Sequence, residues 1–190
     1  MPLPSPVVDP QTGELCIAFQ SAAGDGSDNS DVFFMALDPE LSIIIPPKRV
    51  NDDTTQNDQF MPALAVSPQG EIGIMFSDRR LDSNNELIDV FFARSTDGGL
   101  SFTNERVTTG SFPAPPIVGQ PTQTGNCDDL RRPCYMGDYN DMAADARFFY
   151  LAWGDSRNIV KTPCYPEGRQ DLDVYFAKIP TILRMGRGAR

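Results

Sequence analysis

The sequence predicts an all-β fold assembled from a repeated four-stranded unit, and three observations carry that prediction. Apolar residues alternate with a period of two wherever they cluster. With 17 Pro and 15 Gly in 190 residues, chain breakers fall too often for helices to run. A hairpin pattern also recurs along the chain, the mark of a repeat architecture.

Residues 8–19 read Val-Asp-Pro-Gln-Thr-Gly-Glu-Leu-Cys-Ile-Ala-Phe, and residues 66–76 read Val-Ser-Pro-Gln-Gly-Glu-Ile-Gly-Ile-Met-Phe. Allowing for one extra Thr12, both spell a strand end, a Pro-Gly turn and an alternating strand. A weaker third copy runs from Ala144 to Trp153. After each copy comes a polar loop and a second stereotyped strand: Asp31-Val32-Phe33-Phe34, Asp89-Val90-Phe91-Phe92 and Asp173-Val174-Tyr175-Phe176. These strands recur at intervals of 58 and 84 residues, and the longer interval holds a Pro- and Cys-bearing insertion at 110–136. The middle copy accommodates four strands, at 61–66, 71–77, 89–95 and 102–108. Four-stranded units at such a period point to β-propeller blades. The competing architecture is a β-sandwich with accidental similarity between hairpins; the near-identity of the first two hairpins favours blades. The expected organisation is a single partial propeller over 1–190, with blades at about 5–52, 58–110 and 137–183. Three blades leave the ring incomplete, because closure takes at least four. A homo-oligomer that completes the propeller is the expected state, since closure removes exposed sheet edges.

Composition narrows the chemistry. There is no histidine, which excludes Ser-His-Asp and Cys-His relays, His-ligated zinc hydrolysis and an imidazole switch near neutral pH. Acid–base work falls to carboxylates, Lys, Tyr or Cys. With 16 Lys+Arg against 26 Asp+Glu the formal net charge is −10, which disfavours nucleic acid and anionic membranes as partners and suits neutral or cationic ligands. No apolar run reaches the length of a membrane-spanning helix, and the start from Met1 to Pro6 lacks the basic and apolar regions of a signal peptide. Cys16 sits in an apolar run and reads as a buried free thiol. Cys127 with Cys134 is a candidate local disulfide, Cys164 is an alternative partner for either, and the redox compartment decides between thiols and bridges.

The turn after the Asp89 strand reads Ser95-Thr96-Asp97-Gly98-Gly99-Leu100-Ser101-Phe102. It resembles the Asp-box, the Ser-x-Asp-x-Gly-x-Thr-Trp hairpin of sialidases and related BNR-repeat propellers, with Ser101 for Thr and Phe102 for Trp. The local physics agrees: Asp97 can bond the turn's own amides, Gly98 and Gly99 supply positive φ, and Phe102 can pack beneath. The resemblance implies a sialidase-like propeller, an extracellular or periplasmic location, and structural roles for Ser95, Asp97, Gly99 and Phe102. The chain has no Arg-Ile-Pro segment for the first arginine of a sialidase triad, so sialidase activity in the strict sense is not implied.

Within a meander of four strands, the first and third connections share one end and the second connections and inter-blade linkers share the other. Here the first set is tight turns, while the second set (21–30, 51–59, 77–88, 109–138 and 154–172) is long and charged. Long loops on a rigid scaffold are where binding residues collect. That end has its own repeat, Ser77-Asp78-Arg79-Arg80 and Gly154-Asp155-Ser156-Arg157. Two readings stand: Asp–Arg pairs that brace neighbouring blades, or an Asp acid with arginines that grip a substrate. On the second reading Asp78, Asp138 and Asp155 are the candidate catalytic residues, and Arg79, Arg80, Tyr139 and Arg157 the candidate substrate-binding ones. Asp25, Asp28 and Asp31 form a candidate calcium set, though the stretch equally reads as a solvated turn. The expected function is a hydrolase acting through loop carboxylates on a glycoside or a related ester or lactone substrate, with calcium as the one cofactor that suits the residues. The alternative is a propeller that binds carbohydrate or protein without turnover.

Overall fold

The computed structural model describes residues 4–22, 30–114, 140–163 and 165–182. Among the described residues there is no helix, and the chain forms three antiparallel sheets. The first sheet is a meander of β1 (Ser5–Val8), β2 (Leu15–Ser21), β3 (Asp31–Leu37) and β4 (Ile43–Arg49). The middle sheet repeats it with β5 (Gln59–Val66), β6 (Ile72–Asp78), β7 (Leu87–Ser95) and β8 (Thr103–Arg106). A short β9 (Phe112–Pro113) is added along the start of β7. The third sheet comprises β10 (Asp141–Ala144), β11 (Phe148–Thr162) and β12 (Tyr165–Pro180).

The register repeats residue for residue. Opposite one another on the second and third strands stand Ala18 and Phe34, Met75 and Phe92, and Ala152 and Phe176. The last pairs before the loop are Ser21–Asp31 and Asp78–Asp89, whereas past the equivalent Asp155–Asp173 pair and a bulge β11 and β12 go on pairing to Thr162–Tyr165, so most of the segment 154–172 expected as a loop is a hairpin extension. Because a strand's side chains alternate between faces, this shared register gives every sheet the same front and the same back.

The fronts and backs interlock. The front of the first sheet (Ala18, Val32, Phe34, Ala36) packs on the back of the middle sheet (Ile72, Ile74, Phe76, Phe91) in one core. The front of the middle sheet (Met75, Val90, Phe92) packs on the back of the third (Phe149, Leu151, Trp153) in a second core. The middle sheet is therefore buried on both faces, which is why β6 lacks the polar alternation of a half-exposed strand. Two glycines let the sheets close. A Cβ on Gly73 would lie 2.7 Å from ring atoms of both Phe92 and Phe149, whose centroids are 5.2 Å apart. Gly99, at φ 92°, brings its turn against the Phe34 ring, where a Cβ would collide.

Around that turn, Asp97 Oδ1 accepts hydrogen bonds from the Ser95 hydroxyl at 2.7 Å and the Ser101 amide at 3.0 Å, and the Gly99 amide donates to Ser95 Oγ at 2.9 Å. Burial opposes ionisation of Asp97, but the hydrogen bonds from Ser101 and Ser95 together outweigh it and bring the carboxyl down to about 2. Phe102 stands edge-on to Phe34, with centroids 5.4 Å apart. Cys16 is a buried free thiol, pushed up to about 12 by burial and by the nearby Asp9 and Glu14 charges. Cys127, Cys134 and Cys164 lie outside the described residues.

Gly73→Ala should destabilise the fold by about 1–3 kcal/mol through overpacking against Phe92 and Phe149. Urea denaturation measures this; an unchanged midpoint would mean the second core is not packed as described.

Candidate functional site

The loop end of the stack is a set of paired charges, built the same way in neighbouring sheets. Where β6 ends, the buried Asp78 turns the chain: its Oδ1 accepts the Arg80 backbone amide at 2.7 Å, and its Oδ2 pairs with Arg80 Nε at 2.7 Å. In β11 the buried Asp155 does the same, accepting the Arg157 amide and Nε on Oδ1, each at 2.9 Å, and the guanidinium end on Oδ2 at 2.5 Å. An Asp that accepts the amide two residues on is a local turn former, which explains the Asp-x-Arg spacing. Each guanidinium then lies over the ring at the same position of the next strand, Arg80 4.2 Å from the Phe91 centroid and Arg157 4.6 Å from that of Tyr175.

The third strands begin with a second kind of clamp. Asp31 pairs with Arg49 Nε at 2.7 Å, and Asp89 with Arg106 at 2.7 Å. Two residues further on, Asn51 Nδ2 donates to Asp31 at 2.7 Å and the Thr108 hydroxyl to Asp89 at 2.6 Å. The same two side chains accept the amides of Val32 and Val90. Sequence reasoning missed Arg49, Asn51, Arg106 and Thr108. Their signal was there, in Arg49-Val50-Asn51 against Arg106-Val107-Thr108. In the third sheet Asp173 instead accepts Asn158 Nδ2 at 2.5 Å.

Between the first and middle sheets these clamps merge. Arg80 also reaches Asp52 at 2.5 Å and Asn104 Oδ1 at 3.3 Å, while Asn51 Nδ2 lies 2.7 Å from Asp53 and 2.8 Å from Gln59 Oε1. Burial pushes Asp78 up to about 6 against the pull of Arg80, with the Asp53 charge adding to the rise. Asp53 ends below its ordinary value: burial opposes ionisation, and the Asn51 and Thr55 bonds with the Arg80 and Arg49 charges overcome it. Burial also acts against the Arg80 charge, yet Asp78, Asp52 and Asp53 hold its pKa above the ordinary one.

Arg79 points elsewhere. Its guanidinium pairs with Asp58 at 3.2 Å and lies 5.0 Å from the centroid of Phe60. Asn85 Nδ2 donates to the same Asp58 oxygen at 3.0 Å. That leaves Asp58 Oδ1 and Arg79 Nε buried without hydrogen-bond partners, while the rest of each side chain stays about one-fifth exposed (20% and 21%). Beside them β5 is bulged, with Met61 at φ 53°. Its amide donates to Gln20 of the first sheet at 2.7 Å and its carbonyl accepts Asn140, which precedes the third sheet, at 3.2 Å. A non-glycine residue held in the left-handed region marks a backbone fixed by its surroundings.

The structure thus gathers Asp78 and Arg80 into one network and holds Asp155 and Arg157 in a separate, equivalent clamp. Arg79 stands with Asp58 and Phe60, which sequence reasoning did not single out as site residues. Asp31 is engaged by Arg49 and Asn51. Asp25, Asp28, Asp138 and Tyr139 lie outside the described residues. Among the described residues, no three acidic or thiol side chains converge as a metal ion would require.

No family model and no curated protein matches the chain. Among solved structures, the chain is similar to a thermostable family-43 glycoside hydrolase, at 11% identity and a TM-score of 0.49, over 98% of this chain. The match takes in 59% of that protein, so this chain spans less than two thirds of its length.

Burial of Asp78 makes the stability of the fold depend on pH. With the folded value at about 6 against the ordinary carboxyl value of 3.8, the folded state holds a proton between those pH values that the unfolded state has lost. Stability contributed at this position therefore falls as pH rises from about 4 to about 6. Comparing urea unfolding of the wild type with Asp78→Asn across pH 4–7 should show the wild type losing about 2 kcal/mol relative to the variant. A pH-independent difference would contradict it.

Proposed function

We propose that the chain is part of a sialidase-like β-propeller whose loop end holds a polyhydroxylated ligand, a glycan or a related ester, against Asp58, Arg79 and Phe60. The observation that carries this reading is the spare hydrogen-bonding capacity of one ion pair. Asp78 and Asp155 have both carboxylate oxygens filled by their own arginines. Asp58 and Arg79 keep an acceptor and a donor unfilled beside a half-buried aromatic ring, and because both atoms are buried a ligand meets them only once these side chains turn outward. A carboxylate that accepts hydroxyls, a guanidinium that donates to them and a ring for the C–H face together match the chemistry of a sugar. The net charge of −10 favours neutral or cationic glycans over sialylated or sulfated ones.

A second reading adds turnover, and the observation in its favour is Asp78. A carboxyl held near 6 has the proton affinity a general acid needs. To act, it must part from Arg80 as substrate enters, which makes Arg80 the positioning residue. Hydrolysis of a glycosidic or lactone bond would then use Asp78 as acid.

Glycan-array binding, with a panel of fluorogenic glycosides and acyl-lactones, tests both. Phe60→Ala and Asp58→Ala should each weaken glycan binding by about tenfold or more, the scale of a lost anchor in a small site. Asp78→Asn should leave binding in place and abolish any turnover. Binding that survives both Phe60→Ala and Asp58→Ala would overturn the site, and the absence of any glycan ligand would overturn the function.

A further inference from the structure

We infer that the front of the third sheet is an interface, and that its partner is the back of the first sheet in a second copy of this chain. The argument rests on the shared register. Val32, Val90 and Val174 occupy one position of the repeat, and Phe34, Phe92 and Phe176 another. In the first and middle sheets, each of which has a neighbour in front, these four side chains are 0% exposed. In the third sheet Val174 is 83% exposed and Phe176 63%, and Tyr150 stacks on Phe176 across the same face. The chain thus places at the open end of the stack the residue types that bury elsewhere in it. Such a contiguous apolar face is the mark of an interaction surface.

The other end is its complement. Ile17, Phe19, Phe33 and Met35 lie on the back of the first sheet, at the positions of Ile74, Phe76, Phe91 and Ala93, which are buried against the sheet behind them. Here they are only half-buried, and Phe19 stacks on Phe33. The internal interface, front to back, is used twice within the chain and continues naturally onto both faces.

Charge places the same two surfaces together. Lys178 stands at the position of Arg94, which reaches forward from the middle sheet to the Pro180 carbonyl of the third at 2.8 Å. Beside Arg94, Glu71 accepts the Ile182 amide at 2.7 Å. The residues of the first sheet equivalent to Pro180 and Ile182 are Asp38 and Glu40, so a front-to-back contact sets Lys178 against two acidic side chains. Two copies joined in this way make two identical contacts related by a twofold axis and leave neither face open.

Sedimentation equilibrium of the 190-residue chain over a range of concentrations tests this. The expected particle has twice the 20.9 kDa chain mass. Val174→Asp with Phe176→Asp, or Phe33→Glu alone, should give monomers, and mixing those two variants should restore a weaker dimer through the one intact contact. Circular dichroism confirms that each variant is folded. Lys178→Glu, an exposed change that spares the core, should weaken the dimer by about two- to fivefold, and Glu40→Lys in the same chain should recover it. A monomeric wild type overturns the inference. So does a dimer that ignores Phe33→Glu, since it would pair two fronts, and so does one that ignores the Val174 and Phe176 changes.

Discussion

The packing of one sheet between two others sets the terms for the rest of the molecule. β6 and β7 present Ile74, Phe76 and Phe91 to one neighbour, and Met75, Val90 and Phe92 to the other. Fully burying a side chain of that size stabilises by about 1.5–3 kcal/mol, so the two cores draw their strength from a single sheet. The identical strand register in the three sheets lets one rule of alternation serve both interfaces. A slip of one residue in any sheet would exchange its front for its back.

That stacking brings the strand ends, and the acidic residues that begin and end them, to one side of the molecule. A carboxylate buried there persists only if it is paired, because removing a charge from water is costly unless its partner comes with it. Four buried Asp residues on this side are answered accordingly: Asp78 by Arg80, Asp155 by Arg157, Asp89 by Arg106 and Asp31 by Arg49. The clamps fix where the long loops leave the sheets. The pair the clamps do not saturate is Asp58 and Arg79, each with one buried polar atom left without a partner, and in the Asp78 clamp burial pushes the acid up.

Much of this was legible in the residues themselves. The period-two pattern, the Pro-Gly turns and the recurring Asp-Val-aromatic strands specify antiparallel hairpins, because turn chemistry and strand alternation are local. The Asp-x-Arg repeat was equally visible, since the spacing that makes an Asx turn is written in sequence. The match between Arg49-Val50-Asn51 and Arg106-Val107-Thr108 went unread because its partners, Asp31 and Asp89, lie 17 or 18 residues earlier in the chain. Asp58 could not have been singled out by any spacing. Its interest lies in an oxygen left without a donor, a property of how Asn85, Phe60 and Arg79 fold around it. Nor could alternation alone tell that the middle sheet would be covered on both faces.

Native-state hydrogen exchange measures the claim about the middle sheet most directly. If burial on both faces holds the stack together, the amides of β6 and β7 exchange last and only through global unfolding, while β4 and the far edge of β12 open locally at lower free energy. Slowest exchange in the first or third sheet, or local opening of β6 and β7 below the global stability, would contradict it.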